Sequence, residues 1–381
     1  MESRVTTVLR GITWEHARGH GSVAAAAEAY RAVAPDVEVR WEQRSLQAFA
    51  DQPLPSLVEQ YDLLVIDHPH IPLAAEHGLF ARLDGTGHDD ELAVLAAQSV
   101  GKSHETYAHA GGQWGLATDT AAQVAVYRPD LLPEPPRDWA GVLALAEQGR
   151  VLWPYKPVDA FSSLVTIASG NGEEPMRVPG LFLSADGLAE AMETLRRLAA
   201  LVPEACSAWN PIQTADALST GDRFAYAPLL YGYTNYSRAG FRPHGLRYTD
   251  IPASREGVRG AILGGAGIAV SAFTKHPEQA IDHAFWLDSA PVQEGVYFDG
   301  GGQPGNAVAW DSDRTNAACL DFFRGTRATL EGAYVRPRFV HYIELQNTLS
   351  EFVTEALLGR LTDDELRARL DEGVAEWLVP A

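Results

Sequence analysis

Short apolar runs alternate with helical stretches along the first seventy residues. The pattern predicts strands at 5–12, 37–41 and 62–66, an alanine-rich helix at 22–33 and a helical stretch that ends at residue 60. This βαβαβ order is typical of a doubly wound α/β sheet in which the first strand lies between the second and the third. Because the connections after the first and third strands leave to opposite faces, we expect a ligand crevice at their carboxyl ends.

Two clusters of polar side chains follow the first and third predicted strands. The first turn contributes Trp14, Glu15, His16, Arg18 and His20, and the second contributes Asp67, His68 and His70. Both turns lie at the expected crevice, so the two clusters should face the same pocket. Pro69 and Pro72 restrict the backbone of the second turn, which suits a site that must keep its geometry.

Helices and strands continue to alternate through the rest of the chain. The predicted helices are 72–80, 91–100, 138–148, 160–169, 186–201, 216–220 and 276–289, and the predicted strands are 123–128, 151–154, 223–228 and 264–271. Asp138 is expected to cap its helix. Strand 123–128 is expected to cross from one lobe to the other, and the glycine-rich start of 264–271 to form a tight strand crossing.

The length and composition of the chain limit its architecture and its partners. With 381 residues it fits two lobes, and its 46% apolar residues are enough for a core in each. The formal net charge of -20 repels nucleic acid phosphates and anionic lipid surfaces, so no nucleic acid partner is expected. No apolar run approaches the ~18 to 20 residues of a membrane span, so no membrane insertion is expected.

The cysteines and the N-terminal sequence bear on the compartment. Only Cys206 and Cys319 are present, and the sequence leaves open whether they pair. Residues 1–10 contain no apolar segment of an export signal, so the sequence as it stands predicts a cytoplasmic protein. If a signal peptide was removed, a periplasmic or extracellular location follows instead.

Several short segments in a fixed order carry a family resemblance. They are 123–128 with the following Pro129-Asp130-Leu131, the pair Asp138-Trp139, residues 264–271, 275–280, 285–287 and 301–305, and Arg336-Pro337-Arg338. In this order and spacing they resemble the extracellular solute-binding proteins of sugar-type ABC importers, the maltose-binding-like group of the periplasmic binding protein fold. The resemblance covers nearly the whole chain.

The resemblance implies two α/β lobes, each a doubly wound sheet and each discontinuous in sequence. The expected boundaries are 1–117 with 264–309 for lobe 1, and 118–263 with 310–381 for lobe 2. Hinge strands would join the lobes around a cleft that closes on its ligand.

The resemblance also implies a function. The expected ligand is a small molecule: a sugar, a sugar acid or another polar, carboxylate-like solute. The protein is expected to act as a monomer without a cofactor, and ABC permease subunits are its expected partners if it is exported.

Candidate ligand-binding residues come from both expected lobes. They are Trp14, His16, Arg18, Asp67, His68, His70, Tyr231, Tyr233, Asn235 and Arg336. Trp14 is a candidate for stacking on an apolar ligand face, and at least one loop tyrosine is expected to face the cleft. The structural alternatives are a core tryptophan, a helix-capping aspartate and surface histidines. Arg18, Arg336 and Arg338 suit a carboxylate or phosphate clamp, with surface ion pairs as the alternative.

A metal site is a further alternative that the residue types raise. His16 and His20, together with His68 and His70, offer nitrogen ligands if the two turns converge. Their spacing matches no standard metal motif, and Gly19 argues against a helix between the first two. No metal is therefore predicted.

An enzyme on the same scaffold is the alternative function. The first turn carries more titratable groups than a purely hydrogen-bonding site needs, and fold alone does not decide function. In a cytoplasmic enzyme of this kind, the acid–base residues would be His16, Glu15, Asp67 and His68. The sequence leaves solute binding and catalysis both open.

Overall fold

The computed structural model of the protein describes residues 6–45 and 53–377. Its strands are β1 (Thr7–Trp14), β2 (Val37–Arg44), β3 (Leu63–Asp67), β4 (Ala108–His109), β5 (Gly112–Gln113), β6 (Ala121–Tyr127), β7 (Tyr226–Tyr231), β8 (Arg247–Thr249), β9 (Leu263–Gly264) and β10 (Ala266–Val270).

Helices make up most of the remaining regular structure. They are α1 (Ser22–Tyr30), α2 (Leu54–Val58), α3 (Ile71–Glu76), α4 (Asp89–Ala97), α5 (Trp139–Glu147), α6 (Pro157–Gly170), α7 (Ala185–Leu201), α8 (Pro211–Thr220), α9 (Pro277–Asp288), α10 (Ala290–Val292), α11 (Ala307–Asp311), α12 (Asp313–Ala318), α13 (Phe322–Glu331), α14 (Tyr342–Leu357) and α15 (Asp363–Trp377). Short π-helical or 3₁₀ turns lie at Ala17–Gly21, His68–His70, His104–Tyr107, Glu204–Ser207, Thr234–Ser237 and Gln293–Tyr297.

The first sheet has the order β2-β1-β3-β10. Strands β1, β2 and β3 are parallel, which confirms the predicted order with β1 in the middle. Strand β10 arrives from late in the sequence and pairs antiparallel with β3, with Ala266 opposite Asp67. We call the α/β layer around this sheet lobe 1. Its turns after β1 and β3 therefore leave from one edge, as the sequence predicts.

The second sheet is built on β6, which is buried along its whole length. Strand β6 pairs antiparallel with β7 on one side and with β8 on the other, and its first residues pair with β9. We call the layer around this sheet lobe 2. The complete burial of β6 follows from its largely apolar sequence, in which the polar Gln123 is satisfied by side-chain hydrogen bonds with Ser163 and Thr166.

Separate apolar cores stabilise the two lobes. In lobe 1, alternate residues of the strands face opposite sides of the sheet, so Leu63 and Val65 enter one core while Leu64 and Ile66 enter another. In lobe 2, α6 and α14 pack together over the second sheet, and the buried Trp153 lies in the same core. Both lobes thus bury the two faces of a sheet, as the α/β pattern requires.

Three chain segments from distant parts of the sequence meet where the lobes join. Asp119 and Ala266 exchange backbone hydrogen bonds of 2.8 and 3.1 Å, and Gly305 donates its N–H to Thr118 at 3.0 Å. Gly265 adopts a φ of 97°, and a Cβ there would collide with the carbonyl oxygen of Asp119. This confirms the predicted tight crossing at the start of 264–271.

Most predicted elements are present, with boundaries displaced by a few residues. Asp138 caps α5 as expected, since its carboxylate accepts a hydrogen bond of 2.8 Å from the N–H of Gly141. The short helix predicted at 216–220 begins earlier, because Asn210 and Gln213 form a capping box at the start of α8. Part of the helical stretch predicted before residue 60 lies outside the described residues.

Two strand predictions were wrong in detail. The strand predicted at 151–154 is a single bridge between Val151 and Tyr226, and Pro154 has no N–H with which to extend a ladder. The strand predicted at 223–228 begins at Tyr226 and runs on to Tyr231. Tyr231 therefore ends a strand instead of lying in a loop, and its side-chain position is fixed by the sheet.

The cysteines and the helix lengths complete the description. Cys206 and Cys319 are both buried and unpaired. Within residues 6–45 and 53–377, no helix is long and apolar enough to cross a membrane.

Gly305→Ala is expected to destabilise the fold at the segment crossing. A Cβ at this position would collide with the carbonyl oxygen of Ala117, and the backbone cannot move away without breaking the hydrogen bond to Thr118. We expect a loss of about 1 to 3 kcal/mol in the free energy of unfolding, measured by urea denaturation. Gly221→Ala is the control, because its nearest atom lies 3.4 Å from the added carbon. Equal losses in the two variants would contradict the crossing argument.

Candidate functional site

Polar groups of the two lobes meet in one buried region, which we call the lobe junction. It contains the turns after β1 and β3 (residues 14–20 and 67–70), the crossing segment 117–120, residues 231–235 at the end of β7, and residues 336–338 before α14. Arg18 and Gly232 bridge the junction, as do His68 and Arg336. The site described below is built from these segments.

The turn after β1 is a single π-helical turn, which positions Arg18. His16 precedes this turn, and its Nδ1 accepts a hydrogen bond of 3.0 Å from the N–H of Arg18. The expectation that Gly19 prevents helical structure between His16 and His20 was wrong. A wider π turn fits here because Gly19, lacking a Cβ, lets the backbone rest on the indole of Trp14.

Arg18 forms the central ion pair of the junction. Its Nε donates to a carboxylate oxygen of Asp119 at 2.7 Å, and its Nη2 donates to the other oxygen. Its Nη1 donates to the carbonyl oxygen of Gly232 at 2.7 Å, and the guanidinium lies 4.6 Å from the ring centroid of Tyr233. Burial by itself would lower the pKa of Arg18, but the attraction of Asp119 outweighs burial and raises it. The pair therefore stays charged in the interior.

Asp67 lies at the end of β3, next to the same charges. Its side chain makes no hydrogen bond that caps the following 3₁₀ turn, so the capping alternative does not hold. Burial and the like charge of Asp119 raise the pKa of Asp67, and the positive charges of Arg336 and Arg18 oppose that rise. Because both arginines act on one carboxyl group, the turns after β1 and β3 do converge.

His68 is a buried neutral imidazole with an uncommitted nitrogen. Its Nε2 lies 3.0 Å from Nη2 of Arg336 and 3.2 Å from the carbonyl oxygen of Leu263. Burial and the charge of Arg336 hold the pKa of His68 well below 6.5. Arg336 can only donate, so we assign Nε2 as the acceptor and Nδ1 as the protonated nitrogen. Nδ1 has no hydrogen-bond partner among the described residues.

The end of β7 supplies the aromatic and amide groups from lobe 2. The hydroxyl of Tyr231 lies 3.5 Å from that of Ser162, and the ring of Tyr233 lies 5.0 Å from the imidazole of His16. The side-chain amide of Asn235 donates to the carbonyl oxygen of Gly301 at 3.0 Å. Tyr236 belongs instead to the lobe 2 interior, where its hydroxyl donates to Asp216. Two of the three tyrosines therefore reach the junction.

Sequence reasoning missed two acidic residues: Asp119 of the junction, and Asp159, which lies beside it and acts on Tyr231 and Tyr233. Asp119 precedes the predicted crossing strand 123–128, and its role depends on Arg18, about one hundred residues earlier. Asp159 lies in the first turn of α6, where an acidic residue is common, but it is only 2% exposed. Burial raises the pKa of Asp159 to about 7, with Lys156 opposing the rise. The position after Pro157 was a usable helix-start signal, but burial cannot be read from it.

Several predicted site residues are placed differently from expectation. Trp14 is 5% exposed in the lobe 1 core, and Gly19 covers one face of its indole, so that face cannot stack on a ligand. Arg18 cannot clamp a ligand carboxylate as well, since Asp119 and Gly232 occupy its donors. Glu15 is exposed. His68 is buried, so it is not one of the expected surface histidines.

The remaining histidines do not form a cluster in the structure. His20 lies 3.4 Å from the carbonyl oxygen of Trp41, away from His68 and its partner Arg336. Burial lowers the pKa of His16 and of His70 to about 4, with neighbouring arginines adding to the effect. In the part of the chain that the structure describes, no three His, Cys, Asp or Glu side chains are grouped to hold a metal ion.

Asp119→Asn is expected to destabilise the protein by about 3 to 5 kcal/mol, because it leaves the guanidinium of Arg18 buried without its counter-charge. Urea denaturation gives the free energy of unfolding. Replacing both partners, Arg18→Met with Asp119→Leu, should cost less than the sum of the single changes. Arg10→Gln removes an exposed ion pair with Glu42 and should cost less than about 1 kcal/mol. Additive losses in the double variant would contradict a coupled buried pair.

Asp159→Asn is expected to change how stability depends on pH. The pKa of Asp159 is raised to about 7 in the folded state, while an unfolded chain releases this proton near about 3.9. Between these values the folded state keeps a proton that the unfolded state has lost, so the contribution of Asp159 to stability falls as pH rises. As the pH rises from ~4 to ~8, the free energy of unfolding of the variant should therefore increase by about 1 to 3 kcal/mol relative to that of the parent.

Urea denaturation across this pH range measures the difference between the two proteins. Burial also raises the pKa of Asp288 to about 8, but Asp288 is present in both proteins and its contribution cancels. Glu256→Gln, at an exposed position, should follow the parent at every pH. Parallel curves for the parent and the Asp159 variant would show that this carboxyl does not titrate in the window.

Solved structures of similar shape cover nearly the whole chain. Maltose-bound MalE3 of T. maritima has a TM-score of 0.85 at 15% identity, over 98% of this chain and 100% of that chain. The GacH receptor of Streptomyces glaucescens, solved unliganded and with acarbose, has a TM-score of 0.81 at 14% identity, over 98% of each chain. An ABC transporter solute-binding protein of Agrobacterium radiobacter K84 in complex with ribitol has a TM-score of 0.81 at 16% identity, also over 98% of each chain.

These structures share the two-lobe α/β fold of maltose-binding-like proteins with this chain. At such identities the likeness establishes the fold and not the ligand. The sequence itself matches the family model for bacterial extracellular solute-binding protein over residues 25–318, which is more than half of the chain. The protein therefore belongs to the bacterial extracellular solute-binding proteins.

Proposed function

We propose that this protein binds a small polyhydroxylated solute, a carbohydrate or a polyol, between its two lobes, and presents it to the permease of an ABC importer. The family supports solute binding over the enzymatic alternative. Burial lowers the pKa of His16 and of His68, so both imidazoles of the proposed catalytic set are neutral near neutral pH and serve as hydrogen-bonding groups.

One observation carries the proposal: six buried polar atoms at or beside the lobe junction have no hydrogen-bond partner in the described part of the chain. Among the described residues these atoms are Oγ1 of Thr120, Oγ1 of Thr234, Oδ1 of Asn235, Oδ2 of Asp159, Nδ1 of His68 and Nε of Arg336. A buried polar group that lacks a hydrogen bond costs about 1 to 3 kcal/mol. A solute with many hydroxyl groups can both donate to and accept from this mixed set, and so relieve that cost.

Aromatic rings add the second feature of a carbohydrate site. Tyr231 and Tyr233 come from lobe 2 and lie opposite the polar turns of lobe 1. A sugar bound between them can stack its apolar face on a tyrosine ring while its hydroxyl groups bond to the polar turns. We propose His16, Asp67, His68, His70, Tyr231, Tyr233, Asn235 and Arg336 as the ligand-contacting set, to which the structure adds Asp159. Arg18 and Trp14 are not in this set, because Arg18 is bonded to Asp119 and Gly232 and Trp14 is buried in the lobe 1 core.

The similar structures are consistent with this ligand class. They hold maltose, acarbose and ribitol, all of which are rich in hydroxyl groups. They share little sequence with this chain, so the ligand itself is inferred from the junction residues and not transferred.

Closure of the two lobes is part of the same proposal. We place lobe 1 at 1–117 with 264–309 and lobe 2 at 118–263 with 310–381, with hinges where the chain passes between them. The separate cores support rigid lobes, and the hydrogen bonds from Arg338 to the carbonyl oxygens of Glu105 and Ala108 support a closed form. A monomer that acts outside the cytoplasm fits the family.

A titration of the full chain tests this function. Isothermal calorimetry with maltose, acarbose, ribitol and a panel of monosaccharides should find at least one ligand. Tyr233→Leu should weaken that ligand about tenfold or more, because it removes the aromatic surface at the junction. Tyr236→Phe, which alters a neighbouring tyrosine of the lobe 2 interior, is the matched control and should keep the affinity. Flat titrations with a well-folded parent, or equal losses in both variants, would contradict the proposal.

A further inference from the structure

The three arginines that the sequence offers as carboxylate clamps have different partners. Arg18 is paired with Asp119 through two nitrogens and donates from the third to the carbonyl oxygen of Gly232. Arg338 is exposed, and its Nη1 donates to two backbone carbonyl oxygens at 2.6 and 2.7 Å. Arg336 is only 8% exposed, and it forms no ion pair with a carboxylate of the described residues. Arg336 is therefore the candidate clamp that remains uncommitted.

The other buried arginines show how unusual this arrangement is within the chain. The guanidinium of Arg18 is paired with Asp119, and that of Arg128 is paired with Asp130 at 2.7 Å. Arg336 donates only to neutral groups: to Nε2 of His68 at 3.0 Å and to the side-chain oxygen of Gln346 at 3.4 Å. A guanidinium carries five N–H donors, and the Nε–H of Arg336 has no partner in the described part of the chain.

A buried cation without a hydrogen-bonded counter-charge is costly, so its position demands an explanation. A buried charge without a counter-charge destabilises a protein by several kcal/mol unless something pairs with it. Asp67 is close enough to act on Arg336 electrostatically, but it is not hydrogen-bonded to it. Asp119 is neutralised by Arg18, and His68 is held neutral by burial. The junction is thus left with one guanidinium that lacks a bonded anion.

We infer that the solute carries a carboxylate that pairs with Arg336, so that its class is an acidic sugar such as a hexuronate. This inference rests on the proposed function and narrows it. A carboxylate matches the fork of a guanidinium in shape and balances one positive charge. A phosphate ester would bring a second negative charge toward Asp67 and Asp159, and so fits less well. The remaining hydroxyl groups of the sugar would meet the unpartnered polar atoms of the junction.

Paired ligands that differ only in the acidic group test this inference. Isothermal calorimetry on the full chain compares D-glucuronate with D-glucose and D-galacturonate with D-galactose. In the parent, one uronate should bind at least about tenfold more tightly than its neutral counterpart, as a charge-assisted hydrogen bond provides. Arg336→Gln should reduce this ratio to near one, while Arg336→Lys, which keeps the charge but not the fork, should keep part of it.

Arg255→Gln is the matched control, since it removes an exposed arginine whose ion pair with Glu190 lies outside the lobe junction. It should leave the ratio of uronate to neutral sugar unchanged. Binding of neutral sugars without the uronates would overturn the inference and leave the proposed function intact. Flat titrations with every sugar would overturn both. A uronate preference that survives in Arg336→Gln would remove Arg336 from the explanation. If the glutamine variant does not fold, an undiminished preference in Arg336→Lys would do the same.

Discussion

The buried ion pair between Arg18 and Asp119 connects parts of the chain that are far apart in sequence. It fixes the π-helical turn after β1, and the backbone of Asp119 is itself bonded to Ala266 at the start of β10. From the same guanidinium, Nη1 reaches the carbonyl oxygen of Gly232 in lobe 2. Ion pairs of this kind cost desolvation energy, which a bidentate geometry and further hydrogen bonds offset. The arrangement of the junction depends on this pair because each of its neighbours is oriented by it.

The contacts across the junction suit a pair of lobes that separate and rejoin. They include hydrogen bonds to backbone carbonyl oxygens, such as those of Asn235 with Gly301 and of Arg338 with Glu105 and Ala108, and each such bond contributes about 0.5 to 1.5 kcal/mol. An equilibrium between separated and joined lobes that depends on such bonds can be shifted by a solute that binds the joined form more tightly. Because His16 and His68 remain uncharged, they accept hydrogen bonds in the interior without adding positive charge beside Arg18 and Arg336.

The sequence predicted the parts of the fold that depend on local patterns. The order of β1, β2 and β3, the cap at Asp138 and the crossing at Gly265 all follow from periodicity, capping chemistry or glycine content. The partners at the site could not be predicted in the same way. That Asp119 pairs with Arg18, while Arg336 has no such partner, depends on contacts between segments separated by large parts of the chain. The sequence placed arginines and histidines at the junction but did not reveal which were already satisfied.

The antiparallel pairing of β10 with β3 has a consequence for how the chain folds. The strands β1, β2 and β3 are synthesised first, but the edge of β3 is covered only when Ala266 and the residues after it become available. Until then an apolar strand edge is open to pairing with other chains. Closing so long a loop is slow, because its entropy is lost before the contacts form. Lobe 1 therefore begins to form first and is completed late, so the early part of the chain is most exposed to aggregation before β10 docks.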